Sequence, residues 1–306
     1  DIIRSAESML TMFSTNDYVL DLGPRIAQLD MDEYYDYTFR EYAGKQIMVP
    51  VGIYTQALFY NKNMLADAGV EEPGGYDDPW TFDEFRDACK ALTSGEGGTK
   101  VYGFSIPFDP AKWSGFLWGN GGDYHDEQGN PTFNSDRFKE CCQYLVDLIH
   151  VDGTMPSPAN AKAISPWDLF SSGKCAMIIT GQWDIVNMAQ IKDFEIGVAA
   201  SPYNPKNSDA AAGEPIFLDG YSICKGTKHE DEAWQTIMTW VDETSADLNS
   251  KNGVFGWPTN RKYAEANKDA LFSPPIDPVQ VDALMGLENA HNWPALSRWT
   301  ETEQII

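Results

Sequence analysis

Short apolar runs alternate along the chain with segments in which apolar residues recur at helical spacing. Apolar runs of this length are typical of strands covered on both faces. They predict strands over residues 46–52, 57–62, 101–106, 175–180, 194–200 and 216–226, the last interrupted at Asp219 and Gly220. The helical spacing predicts helices over 61–69, 81–92, 135–149, 166–173 and 230–243. Together these elements predict an α/β fold with a largely parallel, covered sheet.

Capping residues and composition mark where elements begin and where the chain changes character. Thr81 and Glu84 have the spacing of a capping box, and Ser135 has a side chain suited to an N-cap. After Pro107 the chain becomes rich in Gly, Trp and Asp, so we place a lobe boundary at Pro107–Pro110. Residues 156–164, "PSPANAKAI", are predicted to be a polar linker.

The length of the chain favours two lobes. It has 306 residues, whereas single hydrophobic cores stop growing at about 250–300 residues. No apolar run approaches the ~20 residues that a membrane-crossing helix needs. The sequence starts at Asp1 without an initiator Met or a signal segment, so we expect a processed chain or a fragment.

Charge excludes one class of partner. The chain has 46 acidic and 22 basic residues, a formal net charge of −24. Such a charge repels phosphate backbones, so nucleic acid is not expected as a partner. A neutral or cationic small molecule remains compatible with it.

Enzyme signatures are missing from the sequence. It has no nucleophile elbow, phosphate-binding loop or zinc-protease motif, and its four His and five Cys lack metal-ligand spacing. We therefore expect no cofactor, no metal and buried free thiols. Carboxylates such as Asp123, Glu127, Asp184 and Asp219 keep glycoside hydrolysis open as an alternative.

Aromatic residues next to amides and carboxylates recur where predicted strands end. The candidates in such positions are Tyr54, Gln56, Trp113, Trp118, Asn120, Gln182, Trp183, Asp184, Asp219, Tyr221 and Trp257. The tryptophans of this group are predicted to lie in loops. Ligands of open α/β sheets gather beyond the carboxyl ends of strands. An indole stacks on the C–H face of a sugar ring while amides and carboxylates bind its hydroxyls, so the pattern favours a saccharide.

Several ordered motifs resemble the extracellular solute-binding proteins of ABC importers, in particular the carbohydrate-binding group that includes maltose-type binding proteins. The motifs are "GKQIMVPVGIYTQALFYNKNMLADAGV", "PWTFDEFRDACKAL", "WGNGGDY", "LFSSGKCAMIITGQWDI", "DGYSICKGTKHEDEAWQTIMTWV" and "GWPTNRK". The most specific is "LFSSGKCAMIITGQWDI", which is similar to the family's F-x-x-G-K-x-A-M followed by G-x-W. The resemblance extends over essentially the whole chain.

The resemblance implies two α/β lobes with a hinge, a ligand cleft between them and no catalysis. It makes Trp183 a sugar-stacking residue and places Asp219, Gly220 and Tyr221 on a strand at the cleft floor. It also implies ligand-facing roles for Arg261 and Trp299. We expect the N-terminal lobe to comprise 1–108 and 217–272, and the C-terminal lobe 109–216 and 273–306. Family members extend beyond both ends, so the chain is expected to lack their opening strands and closing helices.

The resulting hypothesis is a monomeric exported protein that binds a neutral mono- or oligosaccharide and delivers it to the permease of an ABC transporter. We expect it to be lipid-anchored on the cell surface or periplasmic. The alternatives are a glycoside-processing enzyme that uses paired carboxylates and a binder of a cationic small solute or peptide.

Overall fold

The computed structural model describes residues 1–74, 78–126, 128–252, 256–267 and 291–292. The strands are β1 (Ile2–Ala6), β2 (Val49–Tyr54), β3 (Gln56–Asn61), β4 (Tyr102–Ser105), β5 (Cys175–Gly181), β6 (Ile196–Ala199), β7 (Pro215–Ile223) and β8 (His291–Asn292). The helices are α1 (Glu7–Thr15), α2 (Gly23–Ile26), α3 (Lys62–Ala68), α4 (Phe82–Leu92), α5 (Pro110–Gly119), α6 (Asp136–His150), α7 (Pro158–Ala163), α8 (Pro166–Ser171), α9 (Ile185–Met188), α10 (Glu230–Trp240), α11 (Glu243–Asn252) and α12 (Arg261–Ala266). None of these helices is long and apolar enough to cross a membrane.

The described residues form two compact units. Unit 1 contains residues 1–54 and those from 216 to 267, and unit 2 contains residues 55–215. The sequence-based division placed 55–108 in the N-terminal lobe instead. The structure differs because β3 and β4 lie in that segment and are hydrogen-bonded to β5 of unit 2. Most of the predicted segment 273–306 lies outside the described residues.

Unit 1 is built on β7, which lies between two antiparallel neighbours. β1 pairs with β7 from Ile2↔Ile223 to Ala6↔Asp219, and β2 pairs with its other edge. The register of β2 shifts between Pro50 and Gly52. The predicted break at Asp219 and Gly220 is therefore wrong: β7 runs through both residues, and the irregularity lies on the neighbouring strand.

The core of unit 1 forms where α10 covers one face of this sheet. Ala233 and Ile237 of α10 pack in one cluster with apolar residues from the sheet and α2. The other buried members of that cluster are Leu22, Ile26, Val49 and Ile223. Burial of these side chains holds helix and sheet together.

Unit 2 contains a sheet in the order β4-β5-β3-β6. β3 is antiparallel to both of its neighbours, β5 and β6, and β4 with β5 is the one parallel pair of neighbours among the described strands of this sheet. The prediction of a largely parallel sheet is therefore wrong. Continuous apolar runs show that a strand is covered on both faces, but they do not encode the direction of its neighbours.

Aromatic packing fills the core of unit 2. Phe85 lies with its ring centroid 5.0 Å from Phe104 and 5.5 Å from Phe116, both edge to face. Phe82 stacks on Tyr144 at 4.3 Å. These contacts join α4, β4, α5 and α6 in one cluster.

Local signals in the sequence were mostly accurate. The capping box of Thr81 and Glu84 is confirmed, and Ser135 caps α6 through the N–H of Phe138. All five cysteines are free; three are buried as expected, whereas Cys142 and Cys224 are partly exposed. The predicted linker at 156–164 is wrong, because Ser157 caps the short helix α7 within it.

A buried carboxylate completes the edge of β7 in unit 1. Leu218 lies one position beyond the last β1 pair, and its N–H donates to Oε2 of Glu7 over 3.1 Å. The other carboxylate oxygen accepts from the Tyr42 hydroxyl at 3.0 Å and from the Arg40 guanidinium. Glu7 thereby links α1, β7 and the 40–42 segment through one fully hydrogen-bonded charge.

A second buried carboxylate lies just before β7 in unit 2. Oε1 of Glu214 accepts from the Ser201 backbone N–H at 2.7 Å, whereas Oε2 has no hydrogen-bond partner among the described residues. Burial raises the pKa of Glu214 to about 8. The folded protein therefore holds this proton more tightly than the unfolded chain does.

We expect Glu7→Gln to lower the free energy of unfolding by roughly 3–5 kcal/mol, because it leaves the largely covered Arg40 guanidinium, 14% exposed, beside a neutral amide. Urea unfolding measures the change. Asp231→Asn is the matched control, since it removes the partner of Arg25 at a largely exposed carboxylate and should cost less than about 1 kcal/mol. Equal effects of the two substitutions would contradict the role given to Glu7.

We expect the raised pKa of Glu214 to make the stability of the protein depend on pH. Because its folded-state pKa is raised, its contribution is fully present below the ordinary pKa of 4.5 and is lost as the pH rises through about 8. Urea unfolding of the native protein should therefore show a stability that falls over this range by at most about 1.4 kcal/mol per pH unit from this group. Glu214→Gln should flatten the decline. Parallel pH profiles for the two proteins would refute this assignment.

Candidate functional site

Trp183 is an aromatic residue of unit 2 that the fold leaves accessible. It lies in a short 3₁₀ turn, Gln182–Asp184, directly after the fully buried strand β5. The residue is 39% exposed, whereas the seven residues of β5 are buried. The strand predicted at 175–180 is confirmed, and Trp183 lies in the turn beyond it with part of its side chain exposed.

The Trp183 indole packs against Gly181 at the end of β5. A Cβ atom at this position would come within 2.3 Å of two atoms of the Trp183 ring, closer than real Cβ contacts. Only glycine therefore lets the ring pack against the strand end. The indole is supported by rigid backbone and is still open to solvent.

Lys112 lies beside the same ring. Its ammonium nitrogen is over the Trp183 ring, 4.1 Å from the centroid, which is a cation–π contact. Burial lowers the pKa of the Lys112 ammonium, while the negative charges of Asp109 and Asp184 oppose that shift. The site thus combines an aromatic face, a cation and carboxylates.

Gln56 connects these residues to the sheet. It is the first residue of β3, is completely buried and pairs with Gly181 of β5. Its side-chain amide donates to the backbone carbonyl of Lys112 over 2.7 Å, and its Oε1 has no hydrogen-bond partner among the described residues. One residue therefore contacts the helix that carries Lys112 and the strand end that supports Trp183.

Asp184 is held close to the strand end. Its carboxylate accepts from the Thr180 hydroxyl and, over 3.3 Å, from the Asn187 amide. It is partly buried, so part of the residue is accessible to solvent. Carboxylate oxygens in such a position can accept hydrogen bonds from hydroxyl groups.

In unit 1, the partly exposed face of β7 carries two predicted residues. Asp219 and Tyr221 alternate with buried neighbours, as one face of a strand requires. Arg4 donates to Asp219 through Nε at 2.8 Å and forms an ion pair with it. Gly220 points to the other face, where a Cβ would lie 2.3 Å from the Val49 carbonyl oxygen, so its role is a close approach of β7 and β2.

Tyr221 also borders a surface pocket. Its ring lies 4.5 Å from that of Trp240, and the two residues line a pocket of about 210 Å³ together with Val51 and Leu248. The pocket is largely apolar in composition, and Asn249 and Ser245 are its polar members.

Trp257 and Arg261 both contact Tyr35 in unit 1. The Trp257 indole N–H donates to the Tyr35 hydroxyl over 3.0 Å, and the Arg261 guanidinium lies 4.7 Å from the Tyr35 ring centroid. Trp257 is buried, and its backbone forms a two-way bridge with Ile53. Tyr54, the last residue of β2, is also buried, and burial raises its pKa to about 12.

Three predicted site residues lie inside unit 2. The prediction of loops for Trp113 and Trp118 is wrong, because both belong to the buried helix α5. Trp113 packs edge to face on Phe138 at 5.8 Å. Asn120 donates to the Arg137 carbonyl at 2.9 Å and its side-chain oxygen accepts two amide hydrogen bonds. In this conformation all three support the fold.

The side chains of two predicted site residues, Gln182 and Trp299, are not described by the structure. Trp299 lies outside the described residues, and for Gln182 only the backbone, in the turn before Trp183, is described.

Sequence reasoning missed Lys112, Arg4 and Tyr35. Lys112 stands in the segment predicted to be a loop, and nothing in the sequence marks a residue of α5 as a neighbour of Trp183. Arg4 is the register partner of Tyr221, so knowledge of the β1–β7 pairing would have found it. Tyr35 occurs in the aromatic segment "DEYYDYTF", which was the available signal.

The comparisons with known proteins identify the family of the chain. The sequence profile of the bacterial extracellular solute-binding proteins matches residues 13–241, which is most of the chain. This chain belongs to that family. The resemblance inferred from the motifs is therefore confirmed.

Individual proteins are also similar in sequence to this solute-binding protein. A protein of Brucella abortus is 26% identical over 270 residues, covering 86% of this chain and 61% of the relative. The arabinooligosaccharide-binding protein of Bacillus subtilis is 25% identical over 202 residues, covering 63% of this chain and 44% of the relative. The chain thus spans less than two thirds of the length of these relatives.

A solved structure supports the fold class. The ABC substrate-binding protein Lmo0181 of Listeria monocytogenes, in complex with cycloalternan, has a TM-score of 0.85 and 23% identity, covering 99% of this chain and 76% of that one. The predicted α/β, two-lobe fold of periplasmic binding proteins is confirmed.

The contact of Gly181 with Trp183 can be tested in this solute-binding protein. We expect Gly181→Ala to displace the indole, because the added methyl group would overlap the ring, and to cost roughly 1–3 kcal/mol of stability. Fluorine NMR of 5-fluorotryptophan-labelled protein, with the Trp183 signal assigned by Trp183→Phe, reports the displacement. Gly98→Ala is the control, since its Cβ would meet nothing within 4 Å. An unshifted Trp183 signal in Gly181→Ala would contradict the contact.

Proposed function

We propose that this protein binds a neutral mono- or oligosaccharide and delivers it to the permease of an ABC importer. The observation that carries the proposal is the exposed indole of Trp183, fixed on Gly181 and flanked by Asp184. Family membership supports it, as do the oligosaccharides in the names of the Bacillus relative and the Listeria complex.

The chemistry of the site suits a sugar ring. The indole face stacks on the apolar C–H face of a pyranose or furanose, and burial of that contact provides affinity. The Asp184 carboxylate accepts hydrogen bonds from hydroxyl groups at the edge of the ring. Neither contact requires a charged ligand.

The proposed contact set is narrower than the set predicted from the sequence. Trp183 and Asp184 in unit 2, together with Asp219, Tyr221 and Arg261 in unit 1, have accessible side chains. Gln182 and Trp299 stay in the set as predictions from the family resemblance. We assign the buried Tyr54, Gln56, Trp113, Trp118, Asn120 and Trp257, and the strand residue Gly220, to support of the site. The expectation that the ligand is held between the two lobes stays a prediction.

The cellular role follows from the family. We propose that the whole protein acts outside the cytoplasmic membrane, lipid-anchored or periplasmic, as a monomer that hands its ligand over unchanged. The protein's chemistry is then differential binding, in which the ligand stabilises the conformation that the permease recognises. No catalytic step belongs to this proposal.

A calorimetric screen tests the function. The purified protein is titrated with maltotriose, arabinotriose, cellobiose, glucose and galactose, and each mixture is then analysed for products by chromatography. Binding of at least one saccharide without a change in its covalent structure supports the proposal. Turnover of a glycoside would establish the enzyme alternative, and binding of cationic solutes alone would overturn the saccharide class.

Trp183→Ala provides the residue-level prediction. We expect it to weaken saccharide binding by roughly 1–3 kcal/mol, the scale of a buried aromatic contact, while the melting temperature stays nearly unchanged because the ring is partly exposed. Trp167→Ala is the matched control: Trp167 is a half-buried tryptophan of α8 in the same unit. A large loss of stability with unaltered affinity would show that Trp183 belongs to the core.

A further inference from the structure

We infer that Lys112 is a specificity-determining contact of the saccharide site, which donates to a ligand oxygen beside Trp183 and excludes amino sugars and other cations. The inference rests on the proposed saccharide function and deepens it. It assigns to the ligand an electronegative oxygen, either a hydroxyl or the ring oxygen, at the position that Lys112 reaches.

The first observation is the position of the ammonium. Nζ lies 4.1 Å from the centroid of the Trp183 ring, and that residue is still 39% exposed with Lys112 in place. A saccharide that uses the exposed part of the indole therefore comes within range of the charge.

The second observation is that Lys112 is the partly exposed residue of an otherwise buried helix, α5. Nine of the ten residues of α5 are buried, and Lys112 is the exception. The helix begins at Pro110, with the Asp109 carboxylate accepting from the Ala111 N–H over 2.9 Å. The only partly exposed side chain of a buried helix thus points its charge at the proposed stacking residue.

The third observation is the anchor beneath Lys112. Gln56 is completely buried, donates to the Lys112 carbonyl over 2.7 Å and pairs with Gly181. A shift of Lys112 along the helix axis would break this hydrogen bond. Gln56 is therefore a positioning residue, which fixes Lys112 and the support of Trp183 relative to each other.

Charge decides which ligands this arrangement accepts. Burial lowers the pKa of the Lys112 ammonium, and the negative charges of Asp109 and Asp184 partly offset that effect. A hydroxyl or ring oxygen accepts a hydrogen bond from the Lys112 ammonium, whereas an ammonium group at the same place meets a like charge at low dielectric. The net charge of −24 attracts cations at long range, so their exclusion has to be local.

The experiment compares matched ligand pairs that differ in one group. Native protein, Lys112→Met and the control Lys139→Met are titrated with glucose and glucosamine, galactose and galactosamine, and cellobiose and the disaccharide of chitosan. Lys139 is an exposed lysine of α6 in the same unit, so both variants lose one positive charge. The readout is the ratio of the dissociation constants of the amino sugar and its neutral partner.

We expect the native protein to prefer the neutral member, Lys112→Met to lower the ratio roughly tenfold, and Lys139→Met to leave it unchanged. Gln56→Met should lower the ratio in the same direction, which a purely structural role would not do. Lys112→Gln provides a second neutral variant in case the first does not fold. An unchanged ratio in the folded Lys112 variants would overturn the inference while leaving saccharide binding intact, whereas a native protein that binds neither these sugars nor any saccharide of the calorimetric screen would overturn both.

Discussion

The pairing of β3 with β5 is the constraint on which the proposed site of unit 2 depends. The register sets Gln56 opposite Gly181 and continues through Tyr60↔Met177. Because side chains alternate between faces with a period of two, a slip of one residue would turn Gln56 away from α5 and break its hydrogen bond to the Lys112 carbonyl. Both strands are completely buried, so the register is specified by packing along their whole length. The support of the accessible Trp183 indole thus depends on the pairing of two buried strands, β3 and β5.

Unit 1 obeys the same alternation around β7. Leu218, Gly220 and Ser222 point to the buried face, where the Ser5 hydroxyl donates to Ser222 over 2.9 Å. Asp219 and Tyr221 are consequently turned to the partly exposed face. The Glu7 carboxylate completes the ladder where β1 ends, and its own charge is balanced by Arg40. Glu7 thereby satisfies a backbone N–H on the β1 side of β7, which would be costly to leave unpaired in the core.

Sequence patterns predicted the parts of this protein whose signals are local. The apolar run of β5, the capping box at Thr81 and the exposed Trp183 after Gly181 are all encoded within a few residues. Helix α5 was read as a loop because a helix buried on almost every side lacks the alternation of apolar and polar positions that marks a surface helix. Its glycines and serine also allow close packing, as at Gly115, where a Cβ would lie 2.6 Å from the Ser201 side chain. Strand directions, and hence the division into units, depend on contacts between distant segments, which apolar runs do not encode.

The same distinction explains why the site was predicted only in part. Trp183 could be found because its exposure follows from its own strand, but Trp113 and Trp118 have similar local sequences and lie in the core. Lys112 could not be found, because its role arises only when α5 packs beside β5 and Gln56 holds its carbonyl. A lysine close to a tryptophan would ordinarily be read as a stabilising surface pair. Here the ammonium is partly desolvated and lies over a ring that remains accessible, so the contact costs hydration and still leaves the indole open. Partial desolvation of a charge is expected where that charge also binds a ligand, and an oxygen of a saccharide stacked on Trp183 would be such a ligand atom.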